Sequence, residues 1–148
     1  MFARALFAFI ALPGVFAFGV PLAWAWMSHR AMPRDGFGLL PLLFGVVGLL
    51  WCVWDFYFAG KGTLAPWSPP RRLVVVGLYR YSRNPMYVSV VMVLLGWAIL
   101  FRSEFLFIYA AAVATAFHLR VVLGEEPWLR RTHGAEWEDY VSRVRRWW

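Results

Sequence analysis

Four long apolar segments, separated by short polar ones, limit what this chain can fold into. They cover residues 5–27, 37–59, 85–101 and 105–124. A helix needs about 20 mostly apolar residues to cross a hydrocarbon core of about 30 Å, and a long charged side chain at its end can extend a shorter segment. The sequence therefore predicts an all-α bundle of four transmembrane helices, with residues 1–148 forming a single membrane domain.

The composition agrees with a membrane protein. Hydrophobic residues make up 61% of the 148 positions and charged residues only 16%, which leaves too little polar surface for a soluble domain of this size. The net charge of +7 comes largely from arginines in the short segments that flank the apolar ones. Such arginines orient membrane helices and contact anionic lipid, so we predict membrane lipids, and no nucleic acid, as partners.

Disulfide and metal chemistry find no support in the sequence. Cys52 has no second cysteine with which to form a disulfide bond, and His29, His118 and His133 share no ligand-like spacing. We therefore predict no metal site.

The first apolar segment has an alternative interpretation as a signal peptide. Arg4 would be its basic region, and the tripeptide at residues 23–25 resembles a cleavage site. The apolar run is much longer than the roughly 7–15 residues of a signal peptide's apolar region, which favours a membrane helix.

Proline and charge mark the connections between the apolar segments. Residues 61–86 contain Pro66, Pro69 and Pro70 and predict a constrained loop. Residues 102–104 can form only a tight reversal, so the third and fourth helices are predicted to form an antiparallel hairpin. Small side chains of the fourth segment offer a surface for a neighbouring helix, at Ala110, Ala111, Ala112, Ala114 and Ala116.

Four spans place the N-terminus, the 61–86 loop and the C-terminal tail on one side of the membrane. Most basic residues lie on that side, and only Arg30, Arg34 and Arg102 lie on the other. Because short cytoplasmic segments carry the excess of lysine and arginine, both termini are predicted to be cytoplasmic.

The stretch from Gly77 to Tyr87, with the sequence GLYRYSRNPMY, gathers polar residues at a membrane boundary. Pro85 lacks an N–H group and disfavours helical angles at Asn84, so a helix should begin at about Pro85. Arg83, Asn84 and Tyr87 would lie at the N-terminal end of this helix, and we interpret them as a candidate site. In the alternative interpretation, the arginines are cytoplasmic anchors and the tyrosines belong to an interfacial belt.

A second group of charged residues is predicted at the same depth. Asp55 closes the second span, and His118, Arg120, Glu125 and Glu126 lie at the end of the fourth. Opposite charges gathered at one depth indicate a polar cavity open to the cytoplasm. The alternative is a set of structural ion pairs that tie helix ends together. Helical spacing puts His118 and Glu125 on one face, toward the predicted cavity.

The tail predicts an amphipathic helix, because Trp137, Tyr140, Val144 and Trp147 recur on one helical face. Such a helix would lie on the cytoplasmic leaflet. Membrane anchoring and contact with a ligand are both open as its function.

Three motifs carry a resemblance in this order: GLYRYSRNPMY, FHLRVVLGEEPWL and HGAEWEDYVSRVRRWW. Together they are similar to the isoprenylcysteine carboxyl methyltransferase family and its relatives among the phospholipid methyltransferases, over about residues 60–148. The family's arginine-histidine-proline-x-tyrosine element takes the form Arg83-Asn84-Pro85-Met86-Tyr87, and asparagine in place of histidine resembles bacterial members. The closing valine-proline-arginine-tryptophan element resembles residues 144–147, with Arg145 where proline is usual.

The resemblance implies an enzyme of the bacterial inner membrane that uses S-adenosylmethionine and releases S-adenosylhomocysteine. The ammonium group of this cofactor calls for a carboxylate, and its carboxylate calls for a cationic or amide donor. The residues implied to bind it are Tyr79, Arg83, Asn84, Pro85, Tyr87, His118, Glu125, Glu126, Leu129, Trp137 and Tyr140. The implied catalytic residues are Glu126 and Arg146, the latter as an orienting group for an anionic acceptor.

A cavity between membrane helices indicates a lipophilic acceptor that enters from the bilayer, which the resemblance also implies. We favour a carboxylate or thiolate acceptor, which needs no general base. The alternative is N-methylation of a phospholipid ethanolamine, for which Glu126 or His118 could take the proton. The alternative of another class is a non-catalytic membrane adaptor.

Overall fold

The computed structural model describes residues 10–28, 32–59 and 73–148, and these ranges contain helices and no β-strand. The predicted all-α class is therefore confirmed for the described residues. The start of the first predicted span and residues 61–72 of the 61–86 loop lie outside them. In chain order the helical elements are π-helical Ile10–Gly19, α1 (Val20–Met27), the 3₁₀ turn Gly36–Gly38, α2 (Leu39–Phe58), the 3₁₀ turn Gly77–Arg80, α3 (Pro85–Phe101), α4 (Glu104–Arg120), π-helical Val121–Glu125, α5 (Glu126–His133) and α6 (Ala135–Arg143).

Two helical stretches are long and apolar enough to cross a membrane, Gly36–Asp55 and Glu104–His133. Two further apolar helices are shorter, Gly14–Met27 and Pro85–Phe101. Bulky apolar side chains of α2 are exposed, such as Phe44 at 67%. Exposed apolar surface of this kind fits a lipid environment. Membrane crossing by all four helices stays a prediction.

α3 lies at the centre of the packing, in contact with α2, α4 and the π-helical N-terminal segment. Its buried side chains Val90, Val93 and Leu94 form the main core together with Leu49 of α2 and Ala110 of α4. Because α3 contacts helices on several sides, its first turn is held firmly where the candidate site begins.

Glycines bring α2 and α3 to backbone contact. A Cβ atom at Gly45 would lie 2.7 Å from the carbonyl oxygen of Ser89, and one at Gly96 would lie 2.6 Å from the backbone nitrogen of Leu42. Small residues permit such close approach between membrane helices. The alanines of α4 contribute less than predicted, because most of them are exposed.

Gly45→Val should destabilise the fold by about 1–3 kcal/mol, because the added side chain would overlap the backbone of α3. The gain in helix propensity on replacing glycine is smaller, below about 1 kcal/mol. Thermal unfolding in detergent measures the difference. Gly36→Val is the matched control, since a Cβ at Gly36 meets nothing within 4 Å. Equal losses in the two variants would contradict the close packing of α2 on α3.

Both predicted boundaries of α3 are confirmed. Pro85 begins the helix, and Asn84 before it has φ −133° and ψ 49°, outside the helical region. After the helix, Arg102 adopts the left-handed conformation with φ 48°. Ser103 then accepts a hydrogen bond from the Leu106 N–H at 3.3 Å. This is the predicted tight reversal between α3 and α4.

Asp35, just before α2, forms an ion pair with Arg102 in this reversal. Its carboxylate lies 3.0 Å from Arg102 Nη2, and the hydrogen bonds from Arg102 lower the pKa of Asp35. The backbone N–H groups of Arg34 and Asp35 donate to the Leu100 carbonyl at 2.8 and 3.2 Å. An open cleft of about 580 Å³ at this end contains none of the predicted site residues; it is lined by Trp24, Ser28, Arg102, Ser103, Glu104 and Phe105.

The fourth apolar segment forms a longer helix than predicted. The predicted span ends at residue 124, and this membrane boundary stays a prediction. Helical structure itself continues from Glu104 to His133. Glycine at position 124 does not interrupt it, since backbone hydrogen bonding shifts to the π-helical pattern over Val121–Glu125. The paired glutamates therefore lie on a continuous helix rather than in a connecting loop.

The tail also differs from its prediction. α6 ends at Arg143, and Val144 after it is extended, with φ −122° and ψ 129°. The predicted helical face is wrong in its extent, because Val144 and Trp147 lie beyond the helix. The apolar side chains of α6 are buried inside the protein rather than presented to a leaflet, with Trp137 only 2% exposed.

Candidate functional site

Glu126, the first residue of α5, is held by two arginines. Arg83 Nη1 lies 3.1 Å from Oε1 of its carboxylate. Arg146 approaches in a bidentate arrangement, with Nε 2.9 Å from Oε1 and Nη2 2.9 Å from Oε2. The side chain of Glu126 is only 16% exposed. Bidentate, charge-assisted pairs of this kind fix orientation as well as charge.

Three separate segments of the chain deliver these groups. Arg83 lies in the turn before Pro85, where proline sets the start of α3. Glu126 directly follows the π-helical turn Val121–Glu125. Arg146 lies beyond the end of α6, two residues after the extended Val144. Single π-helical turns within α-helices are rare and frequently occur at functional sites, because the extra residue changes the direction of the side chains around it.

Arg83 is a largely buried cation. Its side chain is 10% exposed, and its guanidinium carbon lies 5.6 Å from the centroid of the Trp137 ring, within the range of a cation–π interaction. Burial lowers the pKa of Arg83, and the neighbouring charge of Glu126 opposes that shift. Its Nε is buried and has no hydrogen-bond partner among the described residues. Arg83 therefore contributes a positive charge and a spare donor.

Glu125, the neighbouring carboxylate, belongs to a second polar cluster. Its Oε1 accepts hydrogen bonds from the Tyr87 hydroxyl at 2.5 Å and from Arg120 Nε at 2.7 Å. The Tyr87 ring stacks on Phe117 with centroids 4.4 Å apart. The Arg120 side chain is 50% exposed, so this cluster reaches the surface while the Glu126 cluster is more enclosed.

Asn84 and Ser82 meet the C-terminal segment through its backbone. Asn84 Nδ2 donates to the Arg146 carbonyl at 3.0 Å, and the Arg83 N–H donates to the Arg145 carbonyl at 2.9 Å. Ser82 is fully buried, and the sequence analysis missed it. Its position between arginines in the polar stretch was the available signal.

The aromatic residues of α6 form a buried apolar cluster next to Arg83. Trp137 and Tyr140 pack with Val144, Leu129 and Leu73 in one apolar cluster. The Tyr140 hydroxyl donates to the Tyr79 carbonyl at 2.6 Å, which ties α6 to the turn before α3. Burial raises the pKa of Tyr140 above its usual range, so its hydroxyl stays a neutral donor.

Two residues predicted to share a cavity with Glu125 and Glu126 have other surroundings. His118 is exposed, its ring is 5.9 Å from that of Trp147, and in the described part of the chain no hydrogen bond or ion pair joins it to either glutamate. Asp55 is buried beneath the turn at Gly77, where a Cβ atom would overlap its carboxylate. Gly77 has φ +55°, which suits glycine and permits this approach.

The structure brings Arg83, Tyr87, Glu125 and Glu126 together at one end of α3, as the sequence indicates. Among the described residues these groups pair with one another, and the polar cavity stays a prediction. The ion pairs correspond to the alternative interpretation given above. A paired carboxylate and arginine are also the groups that a zwitterionic ligand needs, so the two interpretations share one geometry.

Comparison with known proteins gives a family for the chain. The family model described as phospholipid methyltransferase matches residues 35–136, which is more than half of the 148 residues. The match begins before α2 and ends within α6, so it includes Arg83, Glu125 and Glu126 and stops short of Arg146. No curated protein and no solved structure gives a significant match. The chain belongs to the phospholipid methyltransferase family.

Proposed function

We propose that this protein is a membrane-embedded methyltransferase that uses S-adenosylmethionine and methylates a lipophilic acceptor. The observation that carries the proposal is the convergence of Arg83 and Arg146 on the carboxylate of Glu126. Two of these three residues lie within the match to a methyltransferase family. The chain's apolar helices supply the membrane setting that a lipophilic acceptor requires.

The charged residues fit the amino-acid end of the cofactor. With two arginines and one glutamate, the Glu126 cluster has an excess of one positive charge and can take up a further carboxylate. The ammonium group would be held by Glu126, whose Oε2 contacts one arginine among the described residues, and the carboxylate by Arg83 and Arg146. The spare Nε donor of Arg83 fits the same assignment.

The adenosine end needs apolar surface that is not fully enclosed. Tyr79, Trp137 and Tyr140 are each at most 6% exposed, so we assign them to the support of Arg83 rather than to an open binding face. Tyr87 and Leu129 are partly exposed and remain our candidates for contact with the cofactor. Pro85 is buried and acts by starting α3.

S-adenosylmethionine supplies a methyl group on a sulfonium that an electron pair of the acceptor can attack. The chain's contribution is then to hold the acceptor in line and to exclude water. Arg146 is 36% exposed in its side chain and is the cation that can orient an anionic acceptor. A carboxylate or thiolate acceptor, which we favour, requires no proton transfer from the protein.

A phospholipid amine is the second candidate acceptor, and the family description favours it. An amine must lose a proton to become nucleophilic, which requires a carboxylate with a free lone pair. Glu126 receives two hydrogen bonds from Arg146, and Glu125 is bonded to Tyr87 and Arg120. Glu125 is the more exposed of the two, so we assign it this role for an amine acceptor.

Arg83→Ala should lower the affinity for S-adenosylmethionine by about 30-fold or more, because a buried partner of the ligand's carboxylate is lost. Isothermal titration calorimetry on detergent-purified protein measures the affinity. Arg80→Ala is the matched control, since Arg80 lies three positions earlier, at the end of the 3₁₀ turn Gly77–Arg80, and is exposed. Unchanged affinity in Arg83→Ala would refute the assignment, and no binding by the unaltered protein would favour the adaptor.

Reporter fusions test the proposed orientation of the site toward the cytosol, where the cofactor is made. A reporter fused after Trp148 should report the cytoplasm, and reporters fused after Pro33 or after Ser103 should report the opposite side. A reporter after Trp148 that reports the opposite side would contradict the cytoplasmic site, because Arg146 lies next to that terminus.

A further inference from the structure

Residues 144–148, which we call the C-terminal strap, contact Ser82, Arg83 and Asn84, the residues directly before Pro85. Ser82 and Arg145 form a parallel bridge, and the Arg83 N–H donates to the Arg145 carbonyl at 2.9 Å. Val144, at the start of the strap, packs in the apolar cluster with Trp137. The strap is therefore docked by backbone pairing as well as by apolar contact.

Two side chains converge on one carbonyl of the strap. Asn84 Nδ2 donates to the Arg146 carbonyl at 3.0 Å, and Ser82 Oγ donates to the same oxygen at 3.4 Å. Ser82 Oγ also accepts a hydrogen bond from the Asn84 N–H at 3.1 Å, which orients the pair. Ser82 is 0% exposed, so it is built into the protein and is not a surface contact.

That carbonyl belongs to the residue whose guanidinium binds Glu126. An arginine that lies beyond the end of a helix must give up backbone and side-chain freedom to form a bidentate pair. When the backbone of Arg146 is already fixed, only its side-chain torsions remain to be ordered. The contacts of Ser82 and Asn84 therefore bear directly on the geometry of the Glu126 cluster.

We propose that Ser82 and Asn84 are positioning residues, which dock the C-terminal strap and thereby place Arg146 on Glu126. Their effect on ligand binding rests on the proposed function, in which Arg146 and Glu126 hold the cofactor. Asn84 then acts through Arg146 and does not need to touch the cofactor, which revises its assignment from the sequence. Position 84 therefore requires a side chain that donates a hydrogen bond, and it does not require one that transfers protons.

Asn84→Asp is the decisive variant, because it keeps the shape of the side chain, removes its N–H donors and puts a carboxylate beside the Arg146 carbonyl. Asn84→His restores a donor of similar reach. Release of the C-terminal tryptophans by carboxypeptidase A reports strap docking, and calorimetry reports affinity for S-adenosylmethionine. We expect about tenfold faster release and about tenfold weaker binding in Asn84→Asp, and values within about threefold of the unaltered protein in Asn84→His.

A double-mutant cycle separates positioning from a general structural role. In an Arg146→Ala background, Asn84→Asp should cause no further loss of affinity for S-adenosylmethionine, because the residue through which it acts is gone. Independent losses that multiply would overturn the proposal. Ser82→Ala is a second variant with the same expected direction in both assays, in case Asn84→Asp fails to fold.

The two assays also distinguish failure of this proposal from failure of the proposed function. If the unaltered protein does not bind S-adenosylmethionine, the proposed function fails, and carboxypeptidase release still decides whether the strap is docked by these side chains. Release rates unchanged in both Asn84→Asp and Ser82→Ala would overturn the positioning role whether or not the cofactor binds.

Discussion

Glu126→Gln should reduce affinity for S-adenosylmethionine by about 100-fold and abolish methyl transfer. The substitution keeps the size of the side chain and removes the one negative charge shared by Arg83 and Arg146. The ligand's ammonium then loses its counter-charge, and two cations remain close together without neutralisation. Loss of one partner from an enclosed charge pair costs about 2–5 kcal/mol, which corresponds to the expected change in affinity.

Glu138→Gln is the matched control for this variant. Glu138 also pairs with an arginine, with its Oε1 2.7 Å from Arg130 Nε, but both side chains are more than half exposed. An exposed pair of this kind contributes little, so affinity should stay within about twofold. A Glu126→Gln protein that unfolds at the same temperature as the control and binds the cofactor normally would contradict the assignment of Glu126.

Trp137→Ala should cost about 3–5 kcal/mol of unfolding free energy, the largest stability loss that we expect from a single substitution. Its ring is 2% exposed, packs against Tyr140 with centroids 5.9 Å apart, and lies beneath the Arg83 guanidinium. Removing it opens a cavity and withdraws the cation–π contact from a buried charge. Chemical or thermal unfolding in detergent, followed by circular dichroism, measures the loss.

Trp26→Ala provides the comparison for Trp137→Ala. Trp26 is 83% exposed on α1, so its removal leaves no cavity, and unfolding should change by less than about 0.5 kcal/mol. Similar losses in the two variants would indicate that α6 is not packed on the site as described. A stable Trp137→Ala protein with normal cofactor affinity would remove α6 from the support of Arg83.

Local chemistry explains why parts of the fold could be predicted from the sequence. Proline at position 85 sets the start of α3 whatever the rest of the chain does, because it lacks an N–H and restricts Asn84. Two residues between α3 and α4 leave room only for a reversal. The sequence places Arg83 and Glu126 at one membrane depth, and their ion pair corresponds to the alternative interpretation rather than to the favoured cavity.

Other features depend on contacts between distant parts of the chain. Asn84 donates a hydrogen bond to the backbone carbonyl of Arg146. Every residue has such a carbonyl, so the sequence does not indicate which one Asn84 contacts. The spacing of apolar residues in the tail predicts a helix that continues past Arg143, but Val144 is extended and Arg145 pairs with Ser82 before α3. Glycine often ends a helix, but Gly124 lies within the π-helical turn Val121–Glu125, and the helix continues past it.

The contact between α2 and α3 was missed for a similar reason. Alanines of α4 offered the more visible run of small residues, but close approach depends on which face of a helix meets its neighbour. Gly45 and Gly96 lie where the two backbones meet. A single glycine in an apolar helix is not distinguishable, from sequence alone, from one that faces lipid.

Transfer of a radiolabelled methyl group from S-adenosylmethionine tests the central claim most directly. Purified protein and a membrane extract should yield a labelled, lipid-soluble product, and Glu126→Gln should yield none. Mild base would release volatile methanol from a methyl ester, as we expect for a carboxylate acceptor, and would leave an N-methylated amine intact. Label that stays in the cofactor across several extracts, together with an absence of cofactor binding, would contradict the enzyme and favour a non-catalytic adaptor.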